Sequence, residues 1–192
     1  MRKLLFTAVA AFTILSFSSC GYNTMVDLDE QVKSQWAQVQ NVYKRRADLI
    51  PNLVASVKGA AAHENETLTA VTEARAKATA INVDPAKLTP EAIEKFNQAQ
   101  GELSTALGRL MMVTENYPQL QANQNFLQLQ EQIEGTENRI TVERQKFNEV
   151  TRVYNSKIRS FPNNITASMF GFEQKGYFEA DPAAQNAPKV EF

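Results

Sequence analysis

Six residues, Phe126, Ile133, Ile140, Phe147, Tyr154 and Phe161, stand seven apart without a slip, flanked by Leu129, Val150 and Ile158. Seven residues make two turns of α-helix, so the spacing draws an apolar stripe down one side of a rod. A helix from about Gln119 to Phe161 would be about 60 Å long at ~1.5 Å per residue. Alone in water such a rod gains too little from intrinsic propensity to persist. It can hide its stripe only by lying alongside other helices. Gly135 weakens it locally and Pro162 ends it.

A second stripe supplies the partner. Val32, Trp36, Val39, Tyr43, Arg46, Ile50, Leu53 and Val57 follow one another at steps of four and three, continuing as Ala60, Glu64, Leu68, Val71, Arg75 and Ala78. One helix from about Val26 towards Thr79 is therefore expected, with Gly21–Met25 as a short linker and Asn23 or Asp27 as its cap. Pro51 removes the amide that would bond the carbonyl of Ala47, a loss of about 3 kcal/mol in a helix interior. A kink is expected there. The rod is read as continuous rather than divided near Asp48, because the stripe keeps phase and no glycine-rich turn is present.

Asp84-Pro85 breaks the pattern, and Thr89-Pro90-Glu91 starts another helix with a cap, a proline at its first position and an acid in its first turn. Ile93, Phe96, Leu103, Leu107 and Leu110 form its apolar face, widened by Met111 and Met112 as core filling, until Glu115–Pro118 closes it. The fold class is thus all-α, a bundle of three to four long helices over residues 26–180. Ile165, Met169, Phe170, Phe172, Tyr177 and Phe178 cluster after Pro162. They are expected to cover one end of the bundle, with Phe170, Phe172, Tyr177 and Phe178 as candidates for an exposed contact with a membrane or partner. Residues 181–192 are polar and rich in Ala and Pro, and are expected to be a disordered tail.

The amino terminus reads as an address. Arg2 and Lys3 precede an apolar run from Leu4 to Phe17, then Ser18, Ser19 and the sole cysteine, Cys20. This is the layout of a secretory signal over residues 1–19, and the run is shorter than the ~20 residues that span a bilayer. The residues ahead of Cys20 resemble a bacterial lipobox, with Phe17 where Leu is usual. That resemblance implies cleavage before Cys20 and its lipidation, residues 20–25 then forming anchor and linker; an uncleaved signal anchor is the alternative. The mature chain would carry 18 basic and 21 acidic residues, a net charge of −3. The expected location is the cell envelope, membrane-anchored on the extracytoplasmic side.

Charges that nearly cancel provide no field for nucleic acid. His63 is the only histidine, and Thr67 stands where a zinc motif beginning His63-Glu64 needs a second one. No nucleophile triad or phosphate-cradling glycine loop can be assembled, so no catalytic, metal or cofactor residue is assigned. Arg46 is the anomaly. A charge on an apolar stripe must reach solvent or a carboxylate, and Glu137 and Glu143, beside the other stripe, are the candidates. Such a pair would fix helix register. A sharper reading has Arg45, Arg46, Asp48, Lys58 and Glu64 frame a polar groove for a peptide or partner helix.

Several segments recur together in one known family. Arg45–Val54 (RRADLIPNLV), Lys58-Gly59, His63-Glu64, Thr72–Ala76 (TEARA), Glu115–Pro118 (ENYP), Thr136–Ile140 (TENRI), Asn155–Pro162 (NSKIRSFP), Phe170–Phe172 (FGF) and Tyr177–Ala180 (YFEA) resemble the LemA family over essentially the whole mature chain. The resemblance implies an antiparallel bundle of long helices behind an N-terminal membrane anchor. Two departures stand out: a lipidated cysteine in place of a transmembrane anchor, and Ala60 where an aromatic residue is common. No catalytic residues are established for the family. The implied role is a non-enzymatic, membrane-tethered adaptor or scaffold for other envelope proteins; the alternative is a binding module for a peptide or small amphipathic ligand held between the helices. Oligomeric state stays open.

Overall fold

The computed structural model describes residues 2–61 and 63–179, with side chains from residue 21 onward. The signal segment, lipidation of Cys20 and the tail over 181–192 therefore lie outside the described residues as regards their side chains or their course. Six helices follow one another: α1 Arg2–Ala60, α2 Asn65–Ala80, α3 Pro90–Thr114, α4 Pro118–Gln121, α5 Gln124–Arg159 and α6 Asn163–Phe170. No strand occurs among the described residues.

Helix α1 and α5 are the two striped rods, and they run antiparallel: Gln35 meets Glu143, and eleven residues later Arg46 meets Glu137. Helix α2 returns along α1, with Arg75 at Ala47, and α3 returns along α2, with Gln100 at Ala78. The result is an up-down-up-down bundle. All eight members of the α1 stripe from Val32 to Val57 are buried, Arg46 included. On α5, Phe126, Ile133, Ile140, Phe147 and Tyr154 are buried as the seven-residue spacing requires.

The long first rod is divided, though not at Pro51. Helix α1 passes through Pro51 and stops at Ala60, where Ala61 and Glu64 make the turn into α2. Beyond Ala61 a continuing rod would overshoot α5, whose cap is Asn123, and would carry Leu68 and Val71 into water. Reversal instead buries Leu68, Val71, Ala74 and Ala78 against α1 and α3. Ala61, not Ala60, occupies the core position. At the other end Gly21–Met25 is helical rather than a linker, because Met25 reaches the core beside Ile158 and Ala167.

The expected helix from Gln119 is split into α4 and α5 by Asn123, whose side chain accepts from the amides of Asn125 and Phe126 and starts α5. Phe161 departs from its stripe. Helix α5 ends at Arg159, and the extended Ser160 turns the chain so that Phe161 is 81% exposed while Ile158 fills the core.

After α6, Gly171 takes a left-handed conformation (φ +73°) and the amide of Phe172 bonds the carbonyl of Ala167, a helix end that favours glycine. The chain then runs extended, back along α5. Asn155 donates to the carbonyl of Lys175 and accepts its amide, both at 2.9 Å. Asn148 does the same for Phe178, both at 2.8 Å. Seven residues of helix and three of extended chain each cover about 10 Å, so two asparagines on one helix face match two peptide units of the tail. Gly176 crosses the start of α3, where a Cβ would lie 2.7 Å from Pro90 Cα.

The aromatic residues of this tail divide between core and surface. Phe178 is buried among Trp36, Phe96 and Phe147, so it is a core residue and not an exposed contact. Phe172 is half-buried against Tyr22. Phe170 and Tyr177 remain exposed.

Candidate functional site

One polar layer divides the bundle's apolar interior in two. The cluster at the amino-terminal end of α1 extends to Tyr43, Phe96 and Ile140; the other begins at Ile50, Leu103 and Ile133. Between them lie Arg46 on α1, Gln100 on α3, and Thr136 and Glu137 on α5. Arg46 is 1% exposed. Its two terminal nitrogens donate to Glu137 Oε1 (2.6 Å), Ser104 Oγ (2.7 Å), Gln100 Oε1 (2.7 Å) and the Gln100 carbonyl (3.2 Å). Gln100 in turn donates to the carbonyl of Ala78 at the end of α2. One guanidinium thus links all four long helices. Its Nε has no partner, and its carbon sits 5.1 Å from the Tyr43 ring centroid.

Burial raises the Tyr43 phenol above its usual pKa, opposed by the charges of Arg144 and Arg46. Its ring lies on the floor of a groove of about 460 Å³ between α3 and α5, bordered by Glu94, Gln98, Thr105, Glu137 and Arg144. A groove of about 500 Å³ also lies on the α2–α3 side, but the α3–α5 groove is the one that Arg46 and Glu137 border.

Arg46 and Glu137 are brought together; the remaining candidates are not. Arg45, Asp48 and Lys58 are exposed, and Lys58 lies more than three turns along α1 from Arg46. Glu64 stands in the α1–α2 turn, where it accepts from the Tyr117 hydroxyl at 2.8 Å. This bond is the main reason the Tyr117 phenol is raised. A single groove framed by Arg45, Arg46, Asp48, Lys58 and Glu64 does not form, because α1 turns these side chains to different sides. Glu143, the second carboxylate considered for Arg46, is taken by Lys146 and Gln35, which hold its pKa below the usual range. Gln100 stands on the α3 stripe, between Phe96 and Leu103 at steps of four and three, a polar residue in an apolar series that a count of apolar positions alone passes over; Ser104 lies off the stripe and carries no such signal. Among the described residues no three His, Cys, Asp or Glu side chains gather as a metal site requires.

An antiparallel four-helix bundle with one buried, charged layer and a carboxy-terminal tail clamped along its last long helix defines a class of all-α protein. The chain belongs to the LemA family, whose sequence model matches residues 35–192. It is similar to magnetosome proteins MamQ 1 and MamQ 2 of Paramagnetospirillum magneticum, at 27% identity over 183 positions covering 84% of this chain and 66% of each relative. Protein LemA of Metamycoplasma hominis is 27% identical over 158 positions, 82% of this chain and 68% of that protein. The chain thus spans about two thirds of the length of these relatives.

Proposed function

We propose that this LemA-family protein is a membrane-tethered envelope protein that acts without catalysis, as an adaptor whose bundle presents the α3–α5 seam to another envelope protein. The observation that carries this reading is the placement of the polar layer: between the two apolar clusters the buried Arg46–Gln100–Glu137 network borders a groove on the α3–α5 side. Glu94, Glu137 and Arg144 on its borders offer ion pairs and hydrogen bonds to a partner side chain or helix. The magnetosome relatives, proteins named for a cell compartment and not for a reaction, favour a structural role. The tether is Cys20, lipidated after cleavage of residues 1–19.

Two measurements test this. Photo-crosslinking in intact cells from Glu94 and Gln98 on the seam should yield a discrete adduct that Glu73, on the α2–α3 side, does not; equal adducts, or none, would overturn the seam. Mass spectrometry of the mature amino terminus should find a lipid-modified Cys20, and an unmodified cysteine in an uncut chain would overturn the tether.

A further inference from the structure

The end of the bundle nearest residue 20 carries an apolar surface that the core does not cover. Phe161, Ile165 and Met169 stand four apart and are 81%, 56% and 75% exposed, and Phe170 beside them is 60% exposed. The opposite side of α6 is held in the core through Ala167. Helix α6 lies beside the turn of α1 at Gly21 and Tyr22: a Cβ on Gly21 would sit 2.6 Å from Asn163 Oδ1, and the Tyr22 and Phe170 rings are 4.8 Å apart. Helix α1 runs unbroken from Arg2, so Cys20 and the apolar run Leu4–Phe17 precede Gly21 on the same rod. Cys20 therefore lies within about one helical turn of α6, and the apolar run ends, at Phe17, about one turn further out.

The charge pattern matches one occupant. No Asp or Glu occurs between Glu149 and Glu173, whereas Arg152, Lys157 and Arg159 do. Arg152 is paired with Glu149, which leaves Lys157 and Arg159, in the last turn of α5, beside the apolar residues. Apolar side chains flanked by cations, next to an anchor, suit the boundary between anionic headgroups and acyl chains, where an amphipathic helix buries its face by roughly 5–10 Å.

We propose that α6 is an interfacial foot: Phe161, Ile165, Met169 and Phe170 enter the headgroup boundary of an anionic membrane, with Lys157 and Arg159 at the phosphates. The foot rests on the tether reading and deepens it. A lipid at Cys20 alone leaves the bundle free to swivel, whereas two attachment points fix its long axis relative to the membrane and hold the α3–α5 seam at one orientation.

The test uses the full, lipidated chain in vesicles of phosphatidylethanolamine and phosphatidylglycerol with brominated acyl chains. An environment-sensitive fluorophore is placed on Ile165→Cys or Met169→Cys, and on Met112→Cys at the opposite end as control; all three sites are exposed. Flotation reports the tether and quenching reports the foot. The expected result is a blue shift and quenching by about twofold or more at 165 and 169 but not at 112, weakening when phosphatidylcholine replaces the anionic lipid. Protein that floats with 165 and 169 as wet as 112 overturns the foot and leaves the tether standing. Protein that fails to float overturns both. A blue shift without bromine quenching, growing with protein density, identifies a second copy as the occupant and overturns the lipid assignment.

Discussion

Arg75 Nε donates to the carbonyl of Ala47 at 2.7 Å, and Ala47 stands four residues before Pro51. That carbonyl is the one the proline leaves without its helical amide. A side chain on α2 therefore replaces a missing bond inside α1, which lets the rod pass through Pro51, and it ties the two helices together at that level. Arg75→Met should destabilise the protein by about 1–2 kcal/mol, since it leaves a buried acceptor unpaired. In a Pro51→Ala background the amide returns, and the same substitution should cost less than half as much. Urea unfolding of the four proteins gives the coupling directly; an Arg75→Met cost that is unchanged by Pro51→Ala would show that the bond does not serve the proline.

The Arg46–Glu137 pair is unequal in its surroundings, and the inequality has a sign. Arg46 is 1% exposed, whereas the Glu137 side chain is 39% exposed. Glu137→Leu strands a charge that cannot reach water and should cost about 3 kcal/mol. Arg46→Met places an apolar side chain between Tyr43 and Ile50 while Glu137 turns to solvent, so its cost should be about 1 kcal/mol. The double variant should lie near the parent. Urea midpoints for the three variants decide the matter, and an Arg46→Met as damaging as Glu137→Leu would contradict this ordering.

Periodicity makes most of this architecture legible in the sequence, because a stripe of Val32, Trp36, Val39 and their successors has only one way to leave water. The turn at Ala61–Glu64 was not legible: it has no proline and its nearest glycine is Gly59, and the stripe continues through it in phase. Only the finite length of the partner rods requires it. Phe161 fits its heptad perfectly yet lies outside, since Pro162 and the end of α5 outrank spacing at the last position. The polar layer was half visible. Arg46 and Glu137 announce themselves as charges on or beside apolar stripes, and Gln100 interrupts the α3 stripe between Phe96 and Leu103 in the same way, but Ser104 acquires meaning only when α3 is set beside α1. Asn148 and Asn155 do stand seven apart, a repeat among polar residues that a search for apolar stripes passes over.

Those two asparagines should set the stability of the tail. Asn155 is buried and holds both the amide and the carbonyl of Lys175, whereas Asn148 is half-buried. Asn155→Leu should therefore cost about 2–3 kcal/mol, and Asn148→Ala about 1 kcal/mol. In native-state hydrogen exchange both should release the amides of Lys175, Gly176 and Phe178 before those of α5. Exchange that rises uniformly over α5 and the tail would mean the tail is not a separable unit.

Alkaline pH should weaken the fold through its tyrosines. Burial pushes the phenol of Tyr154 well up, with the nearby charge of Asp29 adding to it, and its hydroxyl donates to the carbonyl of Glu173 at 3.0 Å. Burial likewise raises Tyr43. In the unfolded chain both ionise near pH ~10, while in the folded chain burial delays their ionisation. Their contribution is thus fully present below that pH and is lost as pH rises above it. Lys33, whose ammonium is pushed up to about 12 by hydrogen bonds to Asp29 and Glu30, adds a loss in the same direction between 10.5 and about 12. Tyr154→Phe separates the two causes. It removes the bond to Glu173 and one ionising group, so its stability should be lower than the parent's at pH 8 and fall less steeply above pH 10. Unfolding midpoints followed from pH 7 to 11.5 provide the comparison, and parallel curves for the two proteins would rule out Tyr154 as a source of the alkaline loss.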